Sequence, residues 1–305
     1  MGCNTSTAVV SPIVSDPAVI KINNPSLMYS QLVKELINRL DETERKQAIS
    51  LCSDLYTERN LLDSIAADSD LSTLTNYMRD KIEDDNPLCS LGRLMSEMGS
   101  YDRAEYFYLK SLSMENNDWM RRSAILNNLG KIYHDQDQLD KALEYYDKSV
   151  QLQCQHVPND HPNLSADYSN IGTVYQKQNK NDLALEYFQR ALHIELKSSQ
   201  PDEELIALFN NNIGLIYNNQ KEFTQGLIYH EKCLEMNEKL LPSTHPSLAL
   251  SHHNLAISLC PLGRVNEALL HIRKAIEITA HSLPDGHSQR TAHQKLLNVI
   301  QKRTR

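Results

Sequence analysis

Residues 125–153 read ILNNLGKIYHDQDQLDKALEYYDKSVQLQ. Four positions in this stretch organise the rest of the chain. Gly130 follows an aliphatic residue, Leu129; Tyr133 stands three residues on; Ala142 comes twelve residues after the glycine and Tyr146 four later. Moving outward in steps of 42 residues, the glycine position is filled by Gly172, Gly214 and Ala256, and 38 residues upstream by Gly92. The neighbours recur with it. The aliphatic position holds Leu91, Ile171, Ile213 and Leu255; the +3 position holds Met95, Tyr175, Tyr217 and Leu259. Ala104, Ala184, Gly226 and Ala268 lie at +12, and Tyr108, Phe188, His230 and Ile272 at +16. Two helices that cross closely need a small residue on each, with larger side chains filling the space beside the crossing. Gly99 and Gly263 are placed in the turn between the two helices of a pair, so only Gly2 and Gly286 fall outside the pattern.

L-G-x2-Y followed by A-x3-F is the signature of the tetratricopeptide repeat. The usual period is about 34 residues, whereas HEAT and armadillo repeats run about 40–47. The residue signature outweighs the length, and the extra residues, about two helical turns at 3.6 residues per turn, are assigned to longer helices. Asp160-His161-Pro162 and Thr244-His245-Pro246 mark junctions in the same phase, with proline suited to a first helical turn. His287-Ser288 continues the phase, so residues 287–302 are expected to form a lone helix closing the array. The expected fold is all-α. It is a right-handed α-solenoid of about five helix pairs and a capping helix over 87–305, after a helical segment at 26–86 and a flexible lead at 1–25.

The stretch at 125–153, followed by NDHPNLSADYSNIGTVYQ at 159–176, resembles the 42-residue repeats of kinesin light chains. It also resembles arrays appended to ADP-ribosyltransferase domains in some multidomain proteins. The resemblance covers about residues 87–300. It implies a scaffold that binds a protein or peptide partner; the alternatives it raises are a kinesin light chain-like cargo adaptor and a regulatory or remnant form of a transferase lacking its catalytic domain. The helices expected before the array, at 26–40, 41–60 and 71–82, are too short for the sustained heptads of a motor-binding coiled coil. KELINRLDETERKQAISLCSDLY at 34–56 faintly resembles the helical region before the transferase domain.

Composition points the same way. Formal net charge is −8, which excludes a uniformly basic footprint for nucleic acid. Six cysteines at 3, 52, 89, 154, 233 and 260 include no CxxC pair and read as reduced thiols of a cytoplasmic protein. Twelve histidines show no HExxH or Cys/His ligand spacing, and the adjacent His252 and His253 must point to different sides of a helix. Glu42-Thr43-Glu44 matches the E-x-E letters of arginine-directed transferases but reads as an acidic helix start. With no phosphate loop or nucleophile elbow, the expectation is a non-enzymatic protein without metal or cofactor. Met1-Gly2-Cys3-Asn4-Thr5-Ser6 fits the N-myristoylation pattern. Gly2 is the acyl candidate and Cys3 the palmitate candidate, because one chain alone binds membrane marginally. Acylation would hold the protein at the cytoplasmic face of a membrane.

The first helix of each pair lines the concave surface in this repeat class. Asn128, Asn170, Asn212 and Asn254 stand in register two residues before the small residue. An amide side chain can pair with a peptide N–H and C=O together, and asparagine is an indifferent helix former, so its repetition needs a reason. Asn127, Lys131, His134, Ser169, Gln176, Asn211, Asn218 and His253 complete the expected groove. Four residues before each asparagine stand Ala124, Ala166, Leu208 and Leu250, where carboxylate-clamping arrays carry lysine. The groove is therefore expected to take an extended internal peptide segment.

Overall fold

The computed structural model describes residues 32, 33, 35–52, 86–115 and 117–303. Gly2, Cys3, the lead at 1–25 and the helix expected at 71–82 lie outside them. Every regular element among the described residues is a helix. We name them α1 (Glu42–Leu51), α2 (Pro87–Glu97), α3 (Tyr101–Met114), α4 (Trp119–Asp135), α5 (Leu139–Cys154), α6 (Asn163–Lys177), α7 (Asn181–Lys197), α8 (Glu203–Asn219), α9 (Phe223–Leu240), α10 (Pro246–Leu259), α11 (Val265–Ser282) and α12 (Ser288–Arg303). From α2 onward they form five antiparallel pairs and a closing helix. Helices α4 to α9 run 15 to 18 residues, against 11 in α2, so the extra residues of the 42-residue period do lengthen helices.

Local chemistry sets the helix starts. Asp41, Asn86, Asp118 and Asp202 cap α1, α2, α4 and α8, each side-chain oxygen accepting backbone N–H groups of the first turn. Glu42 and Glu44 sit in that first turn of α1, as a helix start requires. Between the helices of each pair the chain turns through one left-handed residue: Gly99, Asp137, Asn179, Lys221 and Gly263, with φ of 71°, 63°, 58°, 65° and 76°. The next N–H reaches back five residues, from Ser100 to Met95 O, Gln138 to Tyr133 O, Lys180 to Tyr175 O, Glu222 to Tyr217 O and Arg264 to Leu259 O. This Schellman closure satisfies the carbonyls at each helix end.

The crossing geometry follows the repeat. A Cβ added to Gly92, Gly130, Gly172 or Gly214 would lie 2.8, 2.6, 3.0 or 2.5 Å from the ring of Tyr108, Tyr146, Phe188 or His230. A ring therefore lies flat on each glycine. Ala256, the one alanine in this series, faces the slimmer Ile272, and both are fully buried.

The chain divides into two compact units, the first ending at Val157 and the second beginning at Pro158. In the N-terminal unit, Leu32, Val33, Leu36, Ile37, Leu40, Ala48 and Cys52 share one core with Leu88, Leu91, Leu94, Met95, Ala104, Phe107, Ile125 and Leu129. The segment before the array is thus packed on the first repeat, and Tyr106 Oη donates to Gln47 Oε1 at 3.1 Å across that contact. In the C-terminal unit, Leu248, Leu255, Leu259, Ala268, Ile272 and Ile278 form a cluster that Ile300 of the closing helix completes.

Candidate peptide-binding face

In the N-terminal unit the face of α4 carries Asn127 and Asn128, both half-buried, exposed Lys131, and half-buried His134. His134 Nδ1 lies 3.3 Å from Asp135 Oδ1. On the same unit, Tyr133 donates to Glu105 at 2.5 Å; burial first, then that carboxylate, pushes its hydroxyl well above the usual phenol range.

In the C-terminal unit the expected ligand residues divide into two groups. Asn170 and Gln176 of α6 and Asn211 and Asn212 of α8 are half-buried and reach the surface. Asn212 Oδ1 accepts a long bond, 3.4 Å, from Asn211 Nδ2. Four others turn into the fold. Ser169 is buried. Asn254 is only 4% exposed, and its Nδ2 donates to Asn211 Oδ1 at 2.7 Å, tying α10 to α8. Asn218 folds over Gly226, with its Oδ1 against the position of the missing Cβ and its Nδ2 donating to Ser258 Oγ at 2.9 Å. His253 meets His293 of α12, with the two Nδ1 atoms 2.9 Å apart. For these four, packing claims the polar side chain that the sequence assigned to the groove.

Helical spacing also brings residues onto this face that the sequence reading did not count. Residues four before and three after each asparagine share its side of the helix. On α8 these are Leu208 and Leu215, on α10 Leu250 and Ile257, all half-buried. On α6 they are exposed Ala166 and half-buried Thr173. The face is therefore polar at α6 and aliphatic around Asn212 and Asn254. The signal lies in Leu208 and Leu250 themselves, aliphatic residues that stand where clamp lysines would.

A second phased set lies on the other helix of each pair. Tyr133–Tyr145, Tyr175–Tyr187 and Tyr217–Tyr229 pack ring to ring at 5.2, 5.5 and 5.5 Å. A cation then covers the outer ring: Lys148 at 4.8 Å, Arg190 at 5.4 Å and Lys232 at 5.0 Å. The same sequence positions hold His271 and Lys274 in the last pair. Glu144 and Glu186 hold Lys148 and Arg190 at 2.6 Å, while Ile228 replaces the acid beside Lys232. These residues are spaced by 42 in the sequence, and that spacing alone reveals them.

The phased junction histidines have a structural role. Bare Nδ1 atoms of His161, His245 and His287 accept the backbone N–H two residues on, from Asn163, Ser247 and Gln289, at 3.3, 3.2 and 3.2 Å. Each lies at the start of α6, α10 or α12, as Asp or Asn does at α1, α2, α4 and α8. Among the described residues no group of three or more His, Cys, Asp or Glu side chains is arranged to hold a metal ion. No described helix is long and apolar enough to cross a membrane.

Residues 121–194 and 205–280 match the tetratricopeptide repeat family. No curated protein sequence matches the chain. Among solved structures, BtubC (BKLC) from P. vanneervenii is 16% identical with a TM-score of 0.62, covering 87% of this chain and 96% of that one. A Podosopora anserina protein of kinesin light chain type, with nearly identical TPR-like repeats, is 23% identical with a TM-score of 0.52, covering 60% and 87%. The apo form of RapI is 19% identical with a TM-score of 0.57, covering 70% and 81%. At these identities the likeness is one of fold.

Proposed function

We propose that this tetratricopeptide-repeat protein, whose array resembles those of kinesin light chains, is a non-enzymatic scaffold that holds an extended peptide segment of a partner protein on its first-helix faces. The observation that carries this reading is the face around Asn212. Its amide lies between Leu208 and Leu215 on α8, beside Leu250 and Ile257 on α10, with no charged side chain at these positions. An extended chain offers alternating backbone groups and side chains. The amides of Asn170 and Asn212 suit the first, and the aliphatic residues suit an uncharged apolar side chain. A carboxylate-terminated ligand is disfavoured, because Ala166, Leu208 and Leu250 replace the clamp lysines.

The test is a titration of peptides selected from a random library on the full-length protein. Asn212→Ala removes a ligand bond worth roughly 0.5–1.5 kcal/mol and strands peptide polar groups at about 1–3 kcal/mol. Affinity should fall roughly tenfold, at 1.4 kcal/mol per decade, with the melting temperature held. Asn254→Ala should do the reverse, lowering stability through the lost Asn211 bond. Unchanged affinity in Asn212→Ala takes this face out of the binding site.

Membrane recruitment through acylated Gly2 and Cys3 is a second part of the proposal, resting on the sequence motif alone. Gly2→Ala should move the protein from the membrane to the soluble fraction of its native cell, and Cys3→Ser should weaken retention. A fully soluble wild type ends that part.

A further inference from the structure

We propose that the closing helix α12 is an acid-released latch, held on the C-terminal unit across a buried histidine pair that has no partner for an added charge. His293 Nδ1 on α12 faces His253 Nδ1 of α10 at 2.9 Å. Two imidazoles bond this way when one Nδ1 carries its proton and the other does not; one added proton leaves that bond but puts a charge on the buried pair, and two imidazolium rings repel.

The surroundings give a proton no resting place. His293 is 1% exposed, and its Nε2 is buried without a hydrogen-bond partner. A proton added there would be an unsatisfied buried donor on a buried charge, which a folded chain avoids by opening. Burial pushes His293 down to about 4, and burial first, then His293, pushes His253 to about 3. On α12, Arg290 is engaged by Asp285 at 2.6 Å and by the Leu283 carbonyl at 3.0 Å.

The neighbouring pair responds differently. His252 and His271 join α10 to α11 through Nδ1 atoms 3.0 Å apart. His252 is pushed down to about 4 by burial, then by Lys274 and His271. His271 is lowered by burial and by Lys274, while Glu267 of α11 and Glu231 and Glu238 of α9 act in the opposite sense. A charge on His271 therefore has three carboxylates to face, whereas among the described residues no carboxylate acts on His253 or His293, which share an apolar seat. That seat is Ile300, with Leu296 and Leu297, against the cluster of Leu255, Leu259, Ala275 and Ile278. The α12 pair, with no carboxylate to offset a charge, is the one that opens to take up protons, and its release bares this apolar surface.

The sign follows from linkage. Both rings have folded values below 6.5, so the opened state binds more protons between about pH 6.5 and 4. The latch is fully held above that window and weakens as pH falls through it. Opening exposes a histidine of ordinary pKa near 6.5, so at pH 5 the opening constant should exceed its value at pH 8 by at least about tenfold.

The experiment is hydrogen exchange of the full-length protein at pH 8 and pH 5, corrected for intrinsic exchange, read on peptides from 288–303. Wild type should lose protection at pH 5 there before peptides of α6 and α7 do. His253→Gln with His293→Gln, which cannot titrate, should show the same α12 protection at both pH values. His193→Gln, an exposed site on α7, should behave as wild type. Equal α12 protection at both pH values in wild type overturns the proposal. So does acid loss of protection that persists in the double glutamine variant. If that variant fails to fold, the imidazole proton signals of wild type decide: titration of His293 near pH 6.5 with α12 still protected overturns the latch, and titration coupled to lost protection supports it.

Discussion

The α4–α5 crossing of the N-terminal unit and the α8–α9 crossing of the C-terminal unit occupy the same place in the repeat, yet their chemistry differs. In the first, Tyr146 lies on Gly130 and Ala142 supplies the small residue opposite. In the second, His230 lies on Gly214 and Gly226 takes the place of the alanine. The volume lost at Gly226 is refilled by Asn218, whose amide bonds Ser258; the Ser258 hydroxyl also meets His230 Nδ1 at 2.9 Å. One crossing is closed by apolar packing and a tyrosine, the other by a buried chain of polar groups. The repeat constrains volume and approach, and leaves the choice of chemistry open wherever the polar groups can satisfy one another.

The largest difference should come from removing the ring at the apolar crossing. Tyr146 is 2% exposed, so Tyr146→Ala opens a cavity worth about 3–5 kcal/mol by the cost of large-to-small aromatic truncations. Trp119, the single tryptophan, lies in the same unit and stacks on His156 at 4.9 Å, so its fluorescence reports the unfolding directly. A loss under about 1 kcal/mol would mean that the crossing collapses onto the glycine without penalty.

Next comes the response to acid. Burial pushes His230 down to about 4 from 6.5, against a smaller opposing contribution from the Asn211 backbone. The unfolded state therefore binds the extra proton between about pH 6.5 and 4, and this crossing loses roughly 3 kcal/mol as the pH falls through that window. Above pH 6.5 the contribution is complete. Thermal melts of the C-terminal unit followed by circular dichroism should show this slope, shared with His252, His253 and His293. His230→Phe should remove about one proton from it. An unaltered slope in that variant would assign the acid response wholly to the other histidines.

The refilling of Gly226 can be tested by a double-mutant cycle. Asn218→Ala leaves Ser258 short of a partner and empties the space, at about 1–3 kcal/mol. Gly226→Ala alone drives a Cβ into the Asn218 amide and should also destabilise. Together the two changes restore the Ala142-like arrangement of the other crossing. The pair should then cost less than the sum by at least about 0.5 kcal/mol. Simple additivity would show that Asn218 is not what fills the gap.

The comparison also separates what the sequence discloses from what it hides. The glycine and alanine series is legible because a close crossing admits few residues, so the five pairs and the closing helix follow from spacing alone. The divergent helix faces expected of His252 and His253 appear as bonds to two different helices, α11 and α12. Asn218 was assigned to the groove because the same one-dimensional spacing cannot register an empty volume at Gly226. Asn254 was assigned there because its register matches Asn212, although a contact with Asn211, 43 residues away, buries it. Polar residues in phase can serve ligand or lattice, and only the neighbour across the crossing distinguishes the two. The left-handed turns show the same limit: Gly99 and Gly263 announce themselves, whereas Asp137, Asn179 and Lys221 adopt the conformation with side chains that do not.

Those turns give the smallest predicted effect. All five pairs close through one residue of positive φ, so the tertiary structure demands the conformation whatever the side chain. For an L-residue the left-handed region costs roughly 1–2 kcal/mol, less for Asn and Asp, whose short polar side chains tolerate it. Lys221 has no such relief at φ 65°. Lys221→Gly recovers that strain and gives back roughly 0.4–1 kcal/mol in unfolded-chain entropy, for a net gain of about 0.5–1 kcal/mol. Asn179→Gly, at φ 58°, recovers less strain and loses the same entropy, so it should leave stability close to wild type. Chemical denaturation of both variants beside wild type separates the cases. A stabilised Lys221→Gly with a neutral Asn179→Gly is expected. If the two shift equally, side-chain identity at these turns does not matter, and the strain at Lys221 is relieved elsewhere in the α8–α9 pair.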